Sequence, residues 1–574
     1  MQKESKNQQD YFLNILSKLP GKPESIAVTL FILAMAAYYF WRLIYLTPWY
    51  DELYTYYTFI SRGPVYAAIH WPVPNNHVGY SVLSAILDLF GNSYIGLRGV
   101  SFICAVANLI LIYKIAGKYM SYWMPFATVL IYSGFRIVND LSVQGRGYSL
   151  STTCFLVAIL CMSDICMLGN VKKSTFVIFV ISLSYGLYTV PTSVYWVIPL
   201  CIAGGIYLLI NGFRIGKLSD KSFWVSSYII RLKSLIISGV VAAVITVMLY
   251  SIIWLAIGCN YLTDDPTSTY YGNGHFYTLL HAPFLSYATG IHLMTSTSYI
   301  QGSGRDGILL NMPEYFVYLF NYFLNGFGVV LFVAVLIALI ILLVQCIRHF
   351  QYSKTLLNLI YICCILFVPI MLFLQGNLPY LYLRIFSYMA FLVAFGITNI
   401  FEFIINHSNK LYNRKRGYDK EPEGTDIIYT DIVDIKLSDD NKWYETAGVY
   451  IPFAFVAICF CLLFLFGDYH GQLGEREHYL YEALSMADVD LRQNICVTDF
   501  EEQYLLKFAY DIDCENTVIE GSDMVIIDKC MIKENYDGAD AYLYFTNHDS
   551  IPWDYINNAL IKKYENEEFV LYVK

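Results

Sequence analysis

The sequence predicts a mainly α protein: a polytopic bundle of transmembrane helices with a small extracytoplasmic α/β domain at its C-terminal end. Of the 574 residues, 57% are hydrophobic and only 14% are charged, whereas a soluble globular chain has about 25% charged residues. The apolar residues form runs of about 20, the length that crosses a bilayer as a helix. After Gly467 the pattern changes to short apolar stretches that alternate with helical ones, which is typical of a small α/β domain.

About eleven such runs predict the membrane spans. They cover residues 26–46, 96–117, 122–140, 147–168, 174–190, 193–212, 235–258, 315–346, 355–374, 381–404 and 448–466. Lysine and arginine gather in alternate connections between the runs, and the positive-inside rule assigns those connections to the cytoplasm. The lysines before the first run agree with this assignment. We therefore expect a multi-pass plasma-membrane protein whose N-terminus is cytoplasmic.

The chain divides into three predicted units: a cytoplasmic segment over 1–24, a transmembrane domain over 25–466 and an extracytoplasmic α/β domain over 467–574. The transmembrane domain holds three long connections, which are the first outer loop 47–95, the outer loop 259–313 and the cytoplasmic loop 405–447. Within the first outer loop, Val78–Phe90 is too short to span and suits a helix lying in the membrane interface. The last unit either contacts an acceptor or serves as a structural cap.

Strands and helices of the α/β unit follow from its apolar stretches. Strands are predicted over Ile495–Thr498, Met524–Ile527, Ala541–Phe545 and Phe569–Val573, and helices over Glu501–Tyr510 and Trp553–Ile561.

Two adjacent carboxylates, Asp51 and Glu52, follow the first span in the run Trp-Tyr-Asp-Glu-Leu-Tyr. Carboxylates at a membrane boundary are costly unless they are solvated or paired, and they are often functional. The simple alternative is the solvated start of a loop. If the pair is functional, a carboxylate within hydrogen-bond reach of a hydroxyl can serve as a general base.

Three arginines lie at the outer boundary of the predicted spans. Arg98 opens the second span, Arg146 lies in Gln144-Gly-Arg-Gly-Tyr148 before the fourth, and Arg384 lies at the start of the tenth. Arginine suits bidentate recognition of phosphate, although a single boundary arginine can also simply reach towards the lipid headgroups. Because all three share a face with the carboxylate pair, the pattern favours an anion site for a lipid phosphate.

The order of these motifs resembles the GT-C glycosyltransferases, in particular the protein O-mannosyltransferase and aminoarabinose-transferase branch. The matching features are Asp51-Glu52 after the first span, His77 in a Pro/Asn-rich stretch, Gly-x-Ser-x4-Arg98 and Arg146-Gly-Tyr148. The resemblance covers residues 25–210 and then the Arg384 segment. The chain departs from the family where Val-Gly follows His77, since a proline is common there.

The resemblance implies a GT-C-like fold and an integral-membrane glycosyltransferase that takes sugar from a polyprenyl-phosphate donor and transfers it to an acceptor on the outer face. It implies Asp51 as general base, with inversion at the anomeric carbon. Glu52 would orient Asp51 or bind the acceptor. The arginines that would hold the donor phosphate are Arg98, Arg146 and Arg384.

Further candidate substrate contacts are His77, Tyr148 and Tyr382. His77 would bind phosphate, acceptor or metal, or only pack its loop. A divalent metal at Asp51, Glu52 and His77 is an option without clear ligand spacing, and the residues establish no other cofactor. The partners are the lipid-linked donor, membrane lipid and a glycan, protein or lipid acceptor. The net charge of −9 gives no reason to expect nucleic acid.

The competing class is a transporter or flippase for a lipid-linked sugar or polysaccharide. Such a protein is expected to carry charged residues or broken helices near the middle of the bilayer. The spans are instead largely uninterrupted, with polar residues at their outer ends, which favours the enzyme. The sequence leaves the sugar, the carrier length and the acceptor open.

Overall fold

The computed structural model has the predicted fold class, a mainly α membrane bundle with a small sheet near the C-terminus. It describes residues 23–71, 76–120, 123–167, 171–218, 227–256, 272–274, 276–284, 305–348, 354–379, 383–415, 443–467, 475–486, 493–498, 500–514, 516–529 and 551–574. Tyr382, the strand predicted over Ala541–Phe545 and most of the predicted loops 259–313 and 405–447 lie outside these residues.

Among the described residues, the first half of the chain contributes eleven helices with assigned ends, besides a helical stretch over 276–284. They are α1 Pro23–Tyr45, α2 Tyr50–Thr58, α3 Pro64–Ile69, α4 Val78–Asp88, α5 Ser93–Tyr119, α6 Met124–Ser133, α7 Arg136–Val143, α8 Tyr148–Met167, α9 Lys173–Thr189, α10 Val194–Leu218 and α11 Ser227–Leu255. Short 3-10 helices cover Ile60–Arg62 and Pro191–Ser193. The predicted interfacial segment of the first loop is therefore helical, as α4.

The described residues of the second half contribute eight helices, a further 3-10 helix and four strands. The helices are α12 Arg305–Phe323, α13 Gly328–Arg348, α14 Thr355–Gln375, α15 Met389–Lys415, α16 Trp443–Phe466, α17 Glu475–Met486, α18 Phe500–Tyr510 and α19 Trp553–Ala559. The 3-10 helix is Leu383–Phe386, and the strands are β1 Ile495–Cys496, β2 Met524–Asp528, β3 Ile561–Glu565 and β4 Phe569–Val573.

Among the described residues, seven helices are long and apolar enough to cross a membrane: α1, α5, α8, α10, α11, α13 and α14. Shorter apolar helices are α4, α6 and parts of α15 and α16. They pack around one large apolar core that runs through the bundle. The chain is thus a multi-pass membrane protein.

Two of the predicted spans are wrong, because each is divided into two helices in the structure. The run over 315–346 is divided into α12 and α13 by a turn in which Gly326 has a φ of +78°. A Cβ on Gly328 would lie 2.3 Å from the Val317 carbonyl oxygen, so the two helices meet where only glycine fits. The run over 122–140 likewise ends at Gly134 and restarts as α7.

In the part of the C-terminal unit that the structure describes, four strands form a mixed sheet in the order β1-β2-β4-β3. β1 and β2 are parallel, while β4 is antiparallel to both of its neighbours. The helix predicted over Trp553–Ile561 ends at Ala559, and Ile561 instead begins β3. Sequence analysis missed this strand because its residues, IKKYE, are mostly polar and exposed.

The first loop and the C-terminal unit share a hydrophobic core, which fixes both at one end of the bundle. Leu53 of α2 and Leu97 of α5 are buried in the same cluster as Leu505 of α18 and Leu480 of α17. All four side chains are fully buried. The C-terminal unit therefore packs directly on the loop that carries the carboxylate pair.

Candidate active site

Helix α2 begins at the carboxylate pair and gives its two members opposite surroundings. Trp49 is the residue before the helix, and its backbone N–H donates to Glu52 Oε2 at 2.9 Å. This hydrogen bond is one half of a capping box, in which the acidic side chain at the third helical position accepts from the backbone N–H of the residue before the helix. Adjacent helical positions point about 100° apart. Glu52 is consequently fully buried, while the Asp51 side chain is 21% exposed.

Glu52 and Arg98 form a buried bidentate ion pair. Arg98 Nε and Nη2 donate to Glu52 Oε1 and Oε2 at 2.8 and 2.9 Å. The Gly145 N–H also donates to Glu52 Oε1, and Arg98 donates to the carbonyls of Leu43 and Leu46. Both side chains are 0% exposed. The pair thus joins the end of α1, the start of α5 and the loop before α8.

Asp51 is paired with Arg384, which lies 333 residues later in the chain, in the 3-10 helix over Leu383–Phe386. Arg384 Nη2 donates to Asp51 Oδ2 at 3.1 Å. The guanidinium lies 4.3 Å from the centre of the Trp49 ring and 5.7 Å from that of Tyr148, within cation–π range. Its other terminal nitrogen, Nη1, is buried and has no hydrogen-bond partner among the residues that the structure describes.

Arg146 and His77 meet beside this pair. Arg146 Nη1 donates to Thr55 Oγ1 at 2.8 Å, and Nη2 lies 3.4 Å from His77 Nε2. The opposite ring nitrogen of His77, Nδ1, accepts from the Gly147 N–H at 2.8 Å. The His77 ring also contacts Tyr148 edge-on, with ring centres 4.9 Å apart. Tyr148 therefore contacts both His77 and Arg384.

The glycine after Arg146 permits this close packing. A Cβ on Gly147 would lie 2.5 Å from Thr189 Cγ2 and 3.1 Å from His77 Nδ1. Burial, followed by the positive charges of Arg146 and Arg384, holds the pKa of His77 well below its usual range. A neutral imidazole that accepts at Nδ1 carries its proton on Nε2, so His77 Nε2 and Arg146 Nη2, which lie 3.4 Å apart, are both donors.

The structure thus brings together five of the predicted site residues: Asp51, His77, Arg146, Tyr148 and Arg384. Glu52 and Arg98 lie directly behind them and contact protein groups. Tyr382 is outside the described residues.

The residues named for a metal do not fit one. Arg98 holds both oxygens of Glu52, and the His77 ring lies between the Gly147 N–H and Arg146. Asp51 is paired with a cation. Within the described part of the chain, no group of three or more His, Cys, Asp or Glu residues is arranged to hold a metal ion.

Sequence analysis missed several neighbours of the site. Asp140 on α7 lies 3.7 Å from both Arg42 of α1 and Arg136. Tyr322, near the end of α12, interacts electrostatically with Arg384 and Asp140. Asp140 could have been predicted from its spacing, because it follows Arg136 by four residues at the end of an apolar run. Nothing in the sequence indicated Tyr322.

The C-terminal unit also reaches the start of α2. The Tyr50 N–H, one residue before Asp51, donates to Oε1 of Glu477 on α17. Tyr504 of α18 contacts the Tyr50 ring, with ring centres 6.1 Å apart. The helix that carries Asp51 is therefore held from both sides, by the bundle and by the C-terminal unit.

Comparison with known proteins gives one sequence match. No curated protein matches the chain. A solved structure, the Archaeoglobus fulgidus oligosaccharyltransferase in the apo form, is similar with a TM-score of 0.43 and 12% identity, over 88% of this chain and 70% of that one. The family model described as dolichyl-phosphate-mannose-protein mannosyltransferase matches residues 77–242. That segment contains His77, Arg98, Arg146 and Tyr148.

The match places residues 77–242 in a glycosyltransferase family of the GT-C superfamily. This confirms the resemblance read from the motifs. The matched segment begins after Asp51 and ends before Arg384, so the family match does not include these two residues. They enter the site through their contacts in the structure.

Proposed function

We propose that this glycosyltransferase moves a sugar from a polyprenyl-phosphate-linked donor to an acceptor at the outer face of the membrane, with inversion and with Asp51 as general base. The observation that carries the proposal is the contact between Asp51 and Arg384. A partly exposed carboxylate lies 3.1 Å from a guanidinium whose second terminal nitrogen is buried and has no hydrogen-bond partner among the described residues. One arginine can therefore contact a base and an anion together.

The donor phosphate would lie against Arg384 and Arg146. As the bond between the anomeric carbon and the phosphate oxygen breaks, its electron pair moves to the phosphate, and cations placed there stabilise the developing charge. Arg384 offers Nη1. Arg146 Nη2 and the N–H at His77 Nε2 supply neighbouring donors, since the two nitrogens lie 3.4 Å apart. Tyr148 contacts His77 and Arg384 and so links the two halves of this anion site.

Asp51 would accept the proton of the attacking hydroxyl. The acceptor oxygen then bonds to the anomeric carbon from the side opposite the phosphate, which inverts the configuration. In the unliganded pair, Arg384 competes for the Asp51 carboxylate. Phosphate binding would draw the guanidinium towards the donor, so the base becomes available when the donor is in place.

Glu52 and Arg98 would act as positioning residues. Their pair fixes the first turn of α2 and the Gly145 loop, and thereby the relative placement of Asp51 and Arg146. Arg98, which the sequence predicts to contact the phosphate, is fully buried against Glu52 and backbone carbonyls, and this favours the positioning role.

The outer location is supported by the charge pattern. The basic residues of the connections gather on one side, which the positive-inside rule makes cytoplasmic. The carboxylate pair and the C-terminal unit then lie outside, with the N-terminus inside.

The experiment that tests the proposed reaction uses purified protein in vesicles that contain a polyprenyl phosphate carrying a radiolabelled sugar, with a cell-envelope extract added as the source of acceptor hydroxyls. We expect breakage of the bond between sugar and phosphate, with free polyprenyl phosphate released, and loss of this breakage in Arg384→Ala. Movement of the labelled lipid between leaflets with that bond intact would contradict the proposal and identify a transporter.

A further inference from the structure

The helical stretch over 276–284, here called the loop helix, belongs to the long connection between α11 and α12. Its sequence, FYTLLHAPF, contains no Asp, Glu, Lys or Arg. At about 1.5 Å per residue such a helix is roughly 14 Å long, whereas the hydrocarbon core of a bilayer is about 30 Å thick. The loop helix is therefore too short to cross a membrane.

One face of the loop helix is buried against α11 and the first loop. Thr278 and Ala282, which lie one helical turn apart, are fully buried. Ala282 shares a small apolar cluster with Trp254 of α11, and Tyr250 of α11 and Trp71 of the first loop pack against this cluster. The loop helix therefore lies at the same end of the bundle as the first loop, which carries Asp51.

The other face of the loop helix is apolar and exposed. Phe276, Leu280 and Phe284 follow one another at intervals of four residues, so their side chains lie on one face of the helix. They are 80%, 64% and 78% exposed. A helix at the surface of a water-soluble domain carries polar side chains on its exposed face. Three large apolar side chains in this position indicate surroundings other than water.

The aromatic residues beneath the loop helix indicate its depth in the membrane. α11 is long and apolar enough to cross a bilayer. Tyr250 and Trp254, near the end of α11, are stacked with ring centres 6.1 Å apart and an angle of 25° between the rings. Tryptophan and tyrosine concentrate at the level of the lipid headgroups. Because the loop helix packs on these two residues, it lies at the boundary between headgroups and acyl chains.

The exposed face of the loop helix adjoins a membrane-facing surface. In the last two turns of α11, the apolar side chains of Met248, Ile252 and Leu255 are exposed on the outside of the bundle. Exposed apolar side chains on a membrane span face the acyl chains of the lipid. A soluble partner that covered the loop helix would have to enter the headgroup layer beside α11. The position of this face therefore favours lipid as its occupant.

The loop helix is also close to the candidate active site. Trp71 and Tyr250 pack against the cluster of Ala282 and, on their other side, against the cluster that contains Val78. Val78 directly follows His77. A single layer of aromatic side chains thus separates the loop helix from the residue next to His77.

We propose that the loop helix is an interfacial helix whose Phe276, Leu280 and Phe284 side chains insert among the acyl chains of the leaflet on the Asp51 side of the membrane. Because the helix has no charged side chain, its membrane contact depends on apolar burial and not on the charge of the headgroups. The inference concerns the contact with lipid and is independent of the proposed transfer reaction.

The test replaces Phe276 or, in a second variant, Phe284 of the full chain with the photoreactive analogue p-benzoylphenylalanine. Each variant is reconstituted in vesicles of phosphatidylethanolamine and phosphatidylglycerol and irradiated, and the adducts are identified by mass spectrometry. The analogue at Met248, exposed on α11, is the control for a lipid-facing position. The analogue at Lys563, exposed on strand β3 of the C-terminal unit, is the control for a water-facing position.

We expect phospholipid adducts at both phenylalanine positions, in a yield close to that at Met248 and roughly tenfold above that at Lys563. A yield no higher than that at Lys563 would place this face in water and overturn the proposal. Adducts formed mainly with a second copy of the chain, or mainly within the same chain, would show that protein covers the face and would overturn it as well. Two positions are tested so that one misfolded variant does not decide the result.

Discussion

At the residue scale, the two adjacent carboxylates have different roles because the helix turns them into different surroundings. Glu52 is enclosed by Arg98 and the Gly145 N–H, while Asp51 faces the site and Arg384. Sequence analysis separated the two acids only through the family resemblance, because the partner of Glu52 lies 46 residues away along the chain. Burial of one and partial exposure of the other follow only from the fold.

Replacing Glu52 should damage folding more than chemistry. Glu52→Gln leaves the Arg98 guanidinium buried without a full counter-charge, and breaking such a pair costs about 3–5 kcal/mol. Thermal unfolding in detergent should show a clear loss of stability, with little change in Asp51→Asn, whose side chain is partly exposed. Equal stability of the Glu52→Gln variant and the wild type would contradict a positioning role for the pair.

His77 should make stability depend on pH. Its pKa in the folded protein lies below the unfolded value of about 6.5 because of burial and the neighbouring arginines. Below that value the unfolded chain binds more protons than the folded one, so stability falls as pH decreases. Unfolding measured between pH 7.5 and 5 should show this loss in the wild type and a smaller loss in His77→Asn. An identical pH dependence in both would refute the assignment.

At the element scale, α2 is the structural centre of the site. Its start is held by the Glu52 capping contact and by Glu477 of the C-terminal unit. The apolar periodicity predicted most helices of the bundle. It failed where the turn after α12 is flanked by phenylalanines, which makes α12 and α13 read as one run, and at the polar strand β3.

Removing the charge of Glu477 should loosen the start of α2. Glu477→Gln weakens the acceptor for the Tyr50 N–H, and hydrogen bonds to charged groups contribute about 1.5–3 kcal/mol. We expect turnover to fall roughly tenfold or more, with donor affinity unchanged, because Arg384 and Arg146 belong to other elements. Glu567→Gln in the same unit is the control, since Glu567 only accepts from the Tyr479 hydroxyl at an exposed position. Equal turnover in both variants would argue against coupling through Glu477.

At the scale of the whole molecule, the proposal depends on which side of the membrane each end of the bundle faces. The sheet, the first loop and the carboxylate pair lie together because they share one core. Because lysine and arginine gather in alternate connections between the spans, the sequence predicted that the end of the bundle with the first loop is outside. The packing of the C-terminal unit on the first loop had no signal in the sequence, since the contacts join segments more than 400 residues apart.

Cysteine labelling in intact cells checks the sidedness. Lys563→Cys on the exposed strand β3 should react with a membrane-impermeant maleimide added outside. Lys173→Cys, exposed at the start of α9, should react only after permeabilisation. The reverse pattern would place the carboxylates in the cytoplasm and remove the proposed outer site.

The most direct measurement of the central claim compares donor binding and sugar transfer in Asp51→Asn. The amide keeps the size of the side chain and an oxygen that can accept from Arg384, but it cannot take a proton from the acceptor. We predict that the variant binds the polyprenyl-phosphate-linked sugar with near wild-type affinity while transfer falls by about 10²–10⁴-fold. Transfer at the wild-type rate would contradict the assignment of Asp51 as the base.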